Sequence, residues 1–154
     1  MSERRTANIA LVTRYYQALA AGDFETLTAL HCDDVVFNLV GTTPVSGRWE
    51  GKTECFGPVV ADGVLGKLVA ETVRFSRQWR IMCADDNCVV GIMHGGGMGT
   101  NGHEYLQTYC QVLTIRDGLI AELHEFFDTA LVELALNDNP TTKGPSVPVR
   151  PFAF

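Results

Sequence analysis

The chemistry available to this chain is concentrated in a few polar side chains set within apolar strand patterns. A strand sends alternate side chains to opposite faces, so the run 119–127 presents Leu119, Ala121, Leu123, Glu125 and Phe127 on one of them. Glu125 is the single charge in that row. Desolvation among such neighbours raises a carboxyl pKa, which suits a general acid or base near neutral pH. The run 88–94 carries Cys88, Val90, Ile92 and His94 on its even face, which adds an imidazole as a second proton-transfer group. The run 105–115 carries Tyr105, Gln107, Tyr109, Gln111 and Leu113 on its odd face. Phenols and amides of this kind orient a ligand without moving protons.

Other polar residues have plainer readings. Asp23, Asp33, Asp34 and Asp128 fit caps and turns. His31 follows a short helix, where it meets the helix dipole and is within reach of a pocket floor. His124 has the opposite parity to Glu125 and belongs on the outer face. The motif from His94 to Gly97 (HGGG) copies the oxyanion loop of lipases, but the chain has no G-x-S-x-G nucleophile for it to serve. Its glycines are expected to curl a hairpin. Cys83 and Cys88 flank a turn at Asp85, Asp86 and Asn87, and read as cross-strand neighbours; no metal site is expected.

These groups must be held by a mixed set of elements. Residues 7–21 have amphipathic helical spacing and end at Gly22; Asp23 then caps a second short helix over 24–30. Residues 35–40 form a β-branched run, followed by a turn. Residues 51–66 carry a weak helical pattern (Phe56, Val59, Val60, Val64, Leu65) broken by Gly57, Pro58 and Gly63. From 68 the pattern is β through four strands, ending near 127, with a last short helix over 128–136. The expected architecture is α+β, a curved antiparallel sheet wrapped around N-terminal helices. Residues 1–136 form the domain and 137–154 a proline-rich extension whose apolar tip at 151–154 is expected to dock.

Composition limits the alternatives. The 154 residues are 46% hydrophobic and 19% charged, enough for one domain with a sizeable core. No run reaches the ~20 apolar residues of a membrane span and no signal-peptide core is seen, so a cytoplasmic protein without membrane attachment is expected. A net charge of −6 argues against nucleic acid as partner. The five scattered cysteines read as reduced, packed thiols.

Three segments, residues 15–23 (YYQALAAGD), 30–36 (LHCDDVV) and 113–128 (LTIRDGLIAELHEFFD), resemble the nuclear transport factor 2-like superfamily. Its SnoaL-like branch, which includes polyketide cyclases, is the most similar group. The resemblance spans roughly residues 7–136. It implies a cone-shaped cavity for a mostly apolar, ring-containing ligand, and a homodimer formed through the outer sheet face. With the family's registration, Glu125, His94, Tyr109, Gln107, Gln111 and Tyr15 converge on that cavity, joined by Asn38, Phe37, Ile92, Leu123 and Phe127.

Tyr15 falls where ketosteroid isomerases keep their oxyanion-hole tyrosine. Their catalytic base falls at Asn38 or Leu39, which carry no carboxylate, and their protonated aspartate falls at Gln111. Glu125 lands on the water-activating aspartate of limonene epoxide hydrolase, but that enzyme's arginine and aspartate partners become Ile92 and His94. The Asp/His pair of scytalone dehydratases would need a histidine near Arg74. In SnoaL-like cyclases the acid/base aspartate sits at about Glu125, the least contradicted match. The resemblance therefore implies a cofactor-free, metal-free lyase, isomerase or cyclase, with Glu125, His94 and Tyr15 catalytic. The alternatives are an epoxide-hydrolase-like enzyme in which Glu125 activates water and His94 donates a proton, and a non-catalytic small-ligand-binding domain.

Overall fold

The structure, a computed structural model, describes residues 1–140. The predicted extension and its apolar tip lie outside the described residues from 141 onward. Helix α1 (Glu3–Ala21) starts earlier than its apolar spacing implies, because the Ser2 hydroxyl accepts the Arg5 N–H at 3.0 Å and caps it. Gly22, at φ 67°, ends it in the left-handed conformation. The Asp23 carboxylate accepts the Thr26 N–H at 2.9 Å and starts α2 (Phe24–Ala29) at once.

Strand β1 (His31–Leu39) begins directly after α2, so Asp33 and Asp34 sit on an irregular part of a strand and not in a turn. They pair with Lys52 and Arg116 on the surface. A short strand β2 (Gly47–Glu50), which the residue pattern does not announce, pairs antiparallel with β1. The ambiguous stretch is helical after all: one turn, α3 (Lys52–Glu54), then a π-helical segment Cys55–Val64 containing Pro58. Pro58 and the two glycines of that stretch disfavour a regular α-helix, and the wider helix accommodates them.

Regular β structure starts later than the expected residue 68, after two short 3-10 turns, Leu65–Lys67 and Ala70–Thr72. The remaining strands are β3 (Arg74–Ala84), β4 (Cys88–Met98), β5 (Glu104–Arg116) and β6 (Leu119–Phe126). Asp128 caps α4 (Thr129–Asn137). The sheet order is β2-β1-β6-β5-β4-β3, antiparallel throughout except for the parallel β1–β6 pair. Register shifts in β1, β3 and β6 mark β-bulges, which bend the open sheet into a trough.

Helix α1 packs along β3 and β4. Tyr16 stacks on Trp79, with ring centroids 5.1 Å apart and planes 18° apart, and its hydroxyl lies against Gly91. A Cβ at Gly91 would stand 2.1 Å from that hydroxyl oxygen, so only glycine lets the helix seat this closely. The glycines after His94 belong to β4 and not to the turn, which lies beyond Gly99. Gly96, at φ 152°, is one position where a side chain has no room, since its Cβ would meet the Tyr105 carbonyl oxygen at 1.6 Å.

Candidate functional site

The α-helices and the π-helical segment close the trough over a cavity with about 750 Å³ of empty space, part of it open to solvent at the mouth. The floor comes from odd-numbered sheet residues: Phe37 and Leu39 of β1, Phe75 of β3, Met93 of β4, Tyr105 and Tyr109 of β5, and Leu123 and Glu125 of β6. Tyr15, Leu19, Phe24 and Leu27 of the first two helices close one side. The π-helical segment supplies Phe56, Val59, Val60 and Val64, and Leu65 follows it. These five are the positions of the weak helical pattern read from the sequence.

Among the described residues, only Tyr15, His31, Tyr105, Tyr109 and Glu125 bring polar side-chain atoms to this lining, and Glu125 is the one carboxyl group of that set. It is partly buried where it lines the cavity, and burial pushes its pKa up from 4.5 to about 7, the Gln111 hydrogen bond opposing in part. Gln111 is wholly buried opposite Glu125 in the β5–β6 register. Its amide Nε2 donates both to Glu125 Oε2 and to the Tyr15 hydroxyl, the latter at 3.1 Å. Tyr15 thus accepts from Gln111 and keeps its own O–H as a donor. The Tyr105 and Tyr109 hydroxyls bond each other at 2.8 Å, which leaves that pair one proton to offer. Burial, with the nearby Glu125 contributing, raises the pKa of all three phenols, so they stay protonated as donors.

Tyr15, Tyr109, Phe37, Leu123, Phe127 and Glu125 are therefore brought together at one cavity. Other predicted members lie elsewhere. Across β4 and β5, residues of like parity pair: Met93 faces Tyr109 and His94 faces Thr108. The odd β5 face is the cavity face, so His94 and Ile92 lie on the opposite, outer side. His94 Nδ1 is 3.1 Å from the Thr108 hydroxyl there. This removes His94 as a partner for Glu125 and removes the proton donor of the water-activation reading.

Asn38, beside His124 in the β1–β6 register, also faces outward, and donates to Glu122 Oε1 at 2.8 Å. His124 Nε2 lies 3.9 Å from the same oxygen, on the outer face as expected. Gln107 has the inward parity but its amide is spent on the backbone of Asp128, donating to its carbonyl at 2.9 Å and accepting its N–H at 3.0 Å. It fixes the start of α4. Gln111 sits behind the lining as a holder of Glu125 and Tyr15. Among the described residues no three His, Cys, Asp or Glu side chains group as metal ligands, and the five cysteines are free thiols.

His31 is the residue whose place in the site the sequence left open. As the first residue of β1 it turns inward, 1% exposed, and lines the cavity. Its Nδ1 donates to the Leu27 carbonyl at 2.8 Å. Burial, which outweighs that hydrogen bond, lowers its pKa to about 4 and keeps it neutral. Strand parity could not have found it, because β1 is irregular between His31 and Val36.

Residues 12–123 match the family model of the SnoaL-like domain. No curated protein matches the chain in sequence. An NTF2-like protein from Burkholderia xenovorans is 17% identical, with a TM-score of 0.68 over 86% of this chain and 98% of its own. A candidate polyketide cyclase from Xanthomonas campestris is 20% identical, with a TM-score of 0.64 over 86% and 97% of the two chains. TerC, crystallised with polyporic acid, is 17% identical, with a TM-score of 0.68 over 84% and 98%. Identities this low speak for the fold, whereas the family match covers most of the sequence: the chain belongs to the SnoaL-like family, on the nuclear transport factor 2-like fold.

Proposed function

We propose that the protein is an acid–base enzyme that needs no cofactor, a lyase, isomerase or cyclase acting on a small hydrophobic, oxygenated ring compound. The observation that carries this reading is Glu125, the single carboxyl group among the described residues that line the cavity, its pKa raised by burial to about 7. At neutral pH such a group can take a proton from a carbon next to a carbonyl and return it elsewhere. Negative charge then grows on the carbonyl oxygen. Tyr15 and the Tyr105–Tyr109 pair hold O–H donors that can stabilise it in a dry site, where each is worth more than in water. Similarity to a candidate polyketide cyclase and to a protein crystallised with polyporic acid supports a small organic ligand.

Catalysis would lose its main support if Glu125 pointed to solvent and Trp79, Met82 and phenylalanine side chains filled the cavity; Glu125 lines the cavity, and so do Phe24, Phe37, Phe56, Phe75 and Phe127. Trp79 instead stacks on Tyr16, and Met82 is half exposed. The test is Glu125→Gln on a substrate found by screening oxygenated ring compounds. Loss of turnover by roughly 10²–10⁴-fold is expected. Turnover within a few-fold of wild type would sink the assignment.

The same reading extends to a homodimer formed through the outer face of the sheet. Ile92, Val112 and Phe126 lie on that face, and Phe126 is 49% exposed.

A further inference from the structure

His31 has a nitrogen that the protein does not use. A carbonyl oxygen can only accept, so the contact with Leu27 places the ring proton on Nδ1 and leaves Nε2 with a bare lone pair. Nε2 is buried and meets no hydrogen-bond donor among the described residues. Around the imidazole stand the rings of Tyr15, Phe37 and Phe56, edge-on at centroid distances of 5.8, 5.8 and 5.1 Å. None of these ring edges can donate a hydrogen bond. An acceptor held this way inside a cavity is selective, because a ligand without a donor leaves it unsatisfied.

We infer that His31 is a ligand contact whose Nε2 accepts a hydrogen bond from a hydroxyl of the bound ring compound, so that the substrate carries an O–H, phenolic or enolic, besides the oxygen held by the tyrosines. The inference rests on the proposed use of the cavity as a small-molecule site. Tyr15 links the two ends of that site: its ring packs on His31, and its hydroxyl accepts from the Gln111 amide that also donates to Glu125. Of the three rings around the imidazole, Phe56 is the least buried and sits on the irregular π-helical segment, so it is the neighbour best placed to move aside for a ligand. The low pKa of His31 is consistent with this role, since the imidazole stays an acceptor across the neutral range.

The test uses 2-naphthol and 2-methoxynaphthalene, which share a ring system and differ in the donor. Calorimetric titration of the wild-type protein should show 2-naphthol binding about tenfold more tightly, as expected for one neutral hydrogen bond. His31→Phe, which keeps the aromatic cluster, should erase that preference while still binding 2-methoxynaphthalene. In wild-type protein labelled with ¹⁵N-histidine, adding 2-naphthol should move the His31 Nε2 resonance upfield. That second measurement needs no variant to fold. An unmoved resonance, a preference that survives His31→Phe, or failure of wild type to bind 2-naphthol would overturn the inference. If Glu125→Gln leaves turnover intact while His31→Phe still erases the preference, the acid–base reading fails and the ligand contact stands.

Discussion

At the scale of single residues, the chemistry is set by which polar groups the cavity leaves without water. Glu125 illustrates the sign of the effect. A carboxyl whose folded pKa lies above its ordinary value binds its proton more tightly in the folded state. Its contribution to stability is fully present below 4.5 and is lost as pH rises through about 7. The loss is on the order of 3 kcal/mol. Urea unfolding of wild type should therefore weaken between pH 5 and pH 8, while Glu125→Gln gives a flatter profile; parallel profiles would contradict this. Tyr15→Phe removes one oxyanion donor and keeps the ring that packs on His31. It should lower kcat by roughly 10²-fold with little change in KM, measured on the same screened substrate, and a change confined to KM would assign Tyr15 to binding alone.

At the scale of elements, the outcome depended on strand register. The parity of β5 was legible because phenols and amides (Tyr105, Gln107, Tyr109, Gln111) fall on every second residue, and that of β6 because Glu125 is the single charge in an apolar row. β4 offered no such contrast: Val89, Gly91 and Met93 look no more interior than Val90, Ile92 and His94. The inner row looks poor because Gly91 makes room for Tyr16, a contact between distant segments that local pattern cannot show. His31 was hidden for a similar reason, since β1 begins four residues before its β-branched run and the histidine read as the end of a helix. Gln107 had the correct face, but its use on the Asp128 backbone depends on where α4 starts. Gly91→Ala tests the helix seat. Tyr16 is fully buried and stacked, so it cannot yield easily, and the substitution should cost about 2 kcal/mol. That corresponds to a fall in Tm of roughly 5 °C by calorimetry, and an unchanged Tm would show that α1 shifts freely.

For the whole molecule, an apolar fraction of 46% serves two surfaces as well as a packed core. One is the cavity wall. The other is the outer face of the sheet, where Asn38, Arg48, Glu122 and His124 form a polar network at the β1–β6 end and Phe126 marks the apolar part. Sedimentation should give twice the chain mass for wild type and one chain mass for Phe126→Lys. A monomeric wild type would contradict the proposed homodimer. Among the described residues, Glu125 is the one carboxyl group that lines the cavity.

The central claim, that Glu125 is held ready to exchange a proton near neutral pH, can be tested without a substrate. The side-chain carboxyl carbon of Glu125, assigned by its absence in Glu125→Gln, is followed by ¹³C NMR as a function of pH. The account predicts a midpoint at about 7; a midpoint near 4.5 would contradict it.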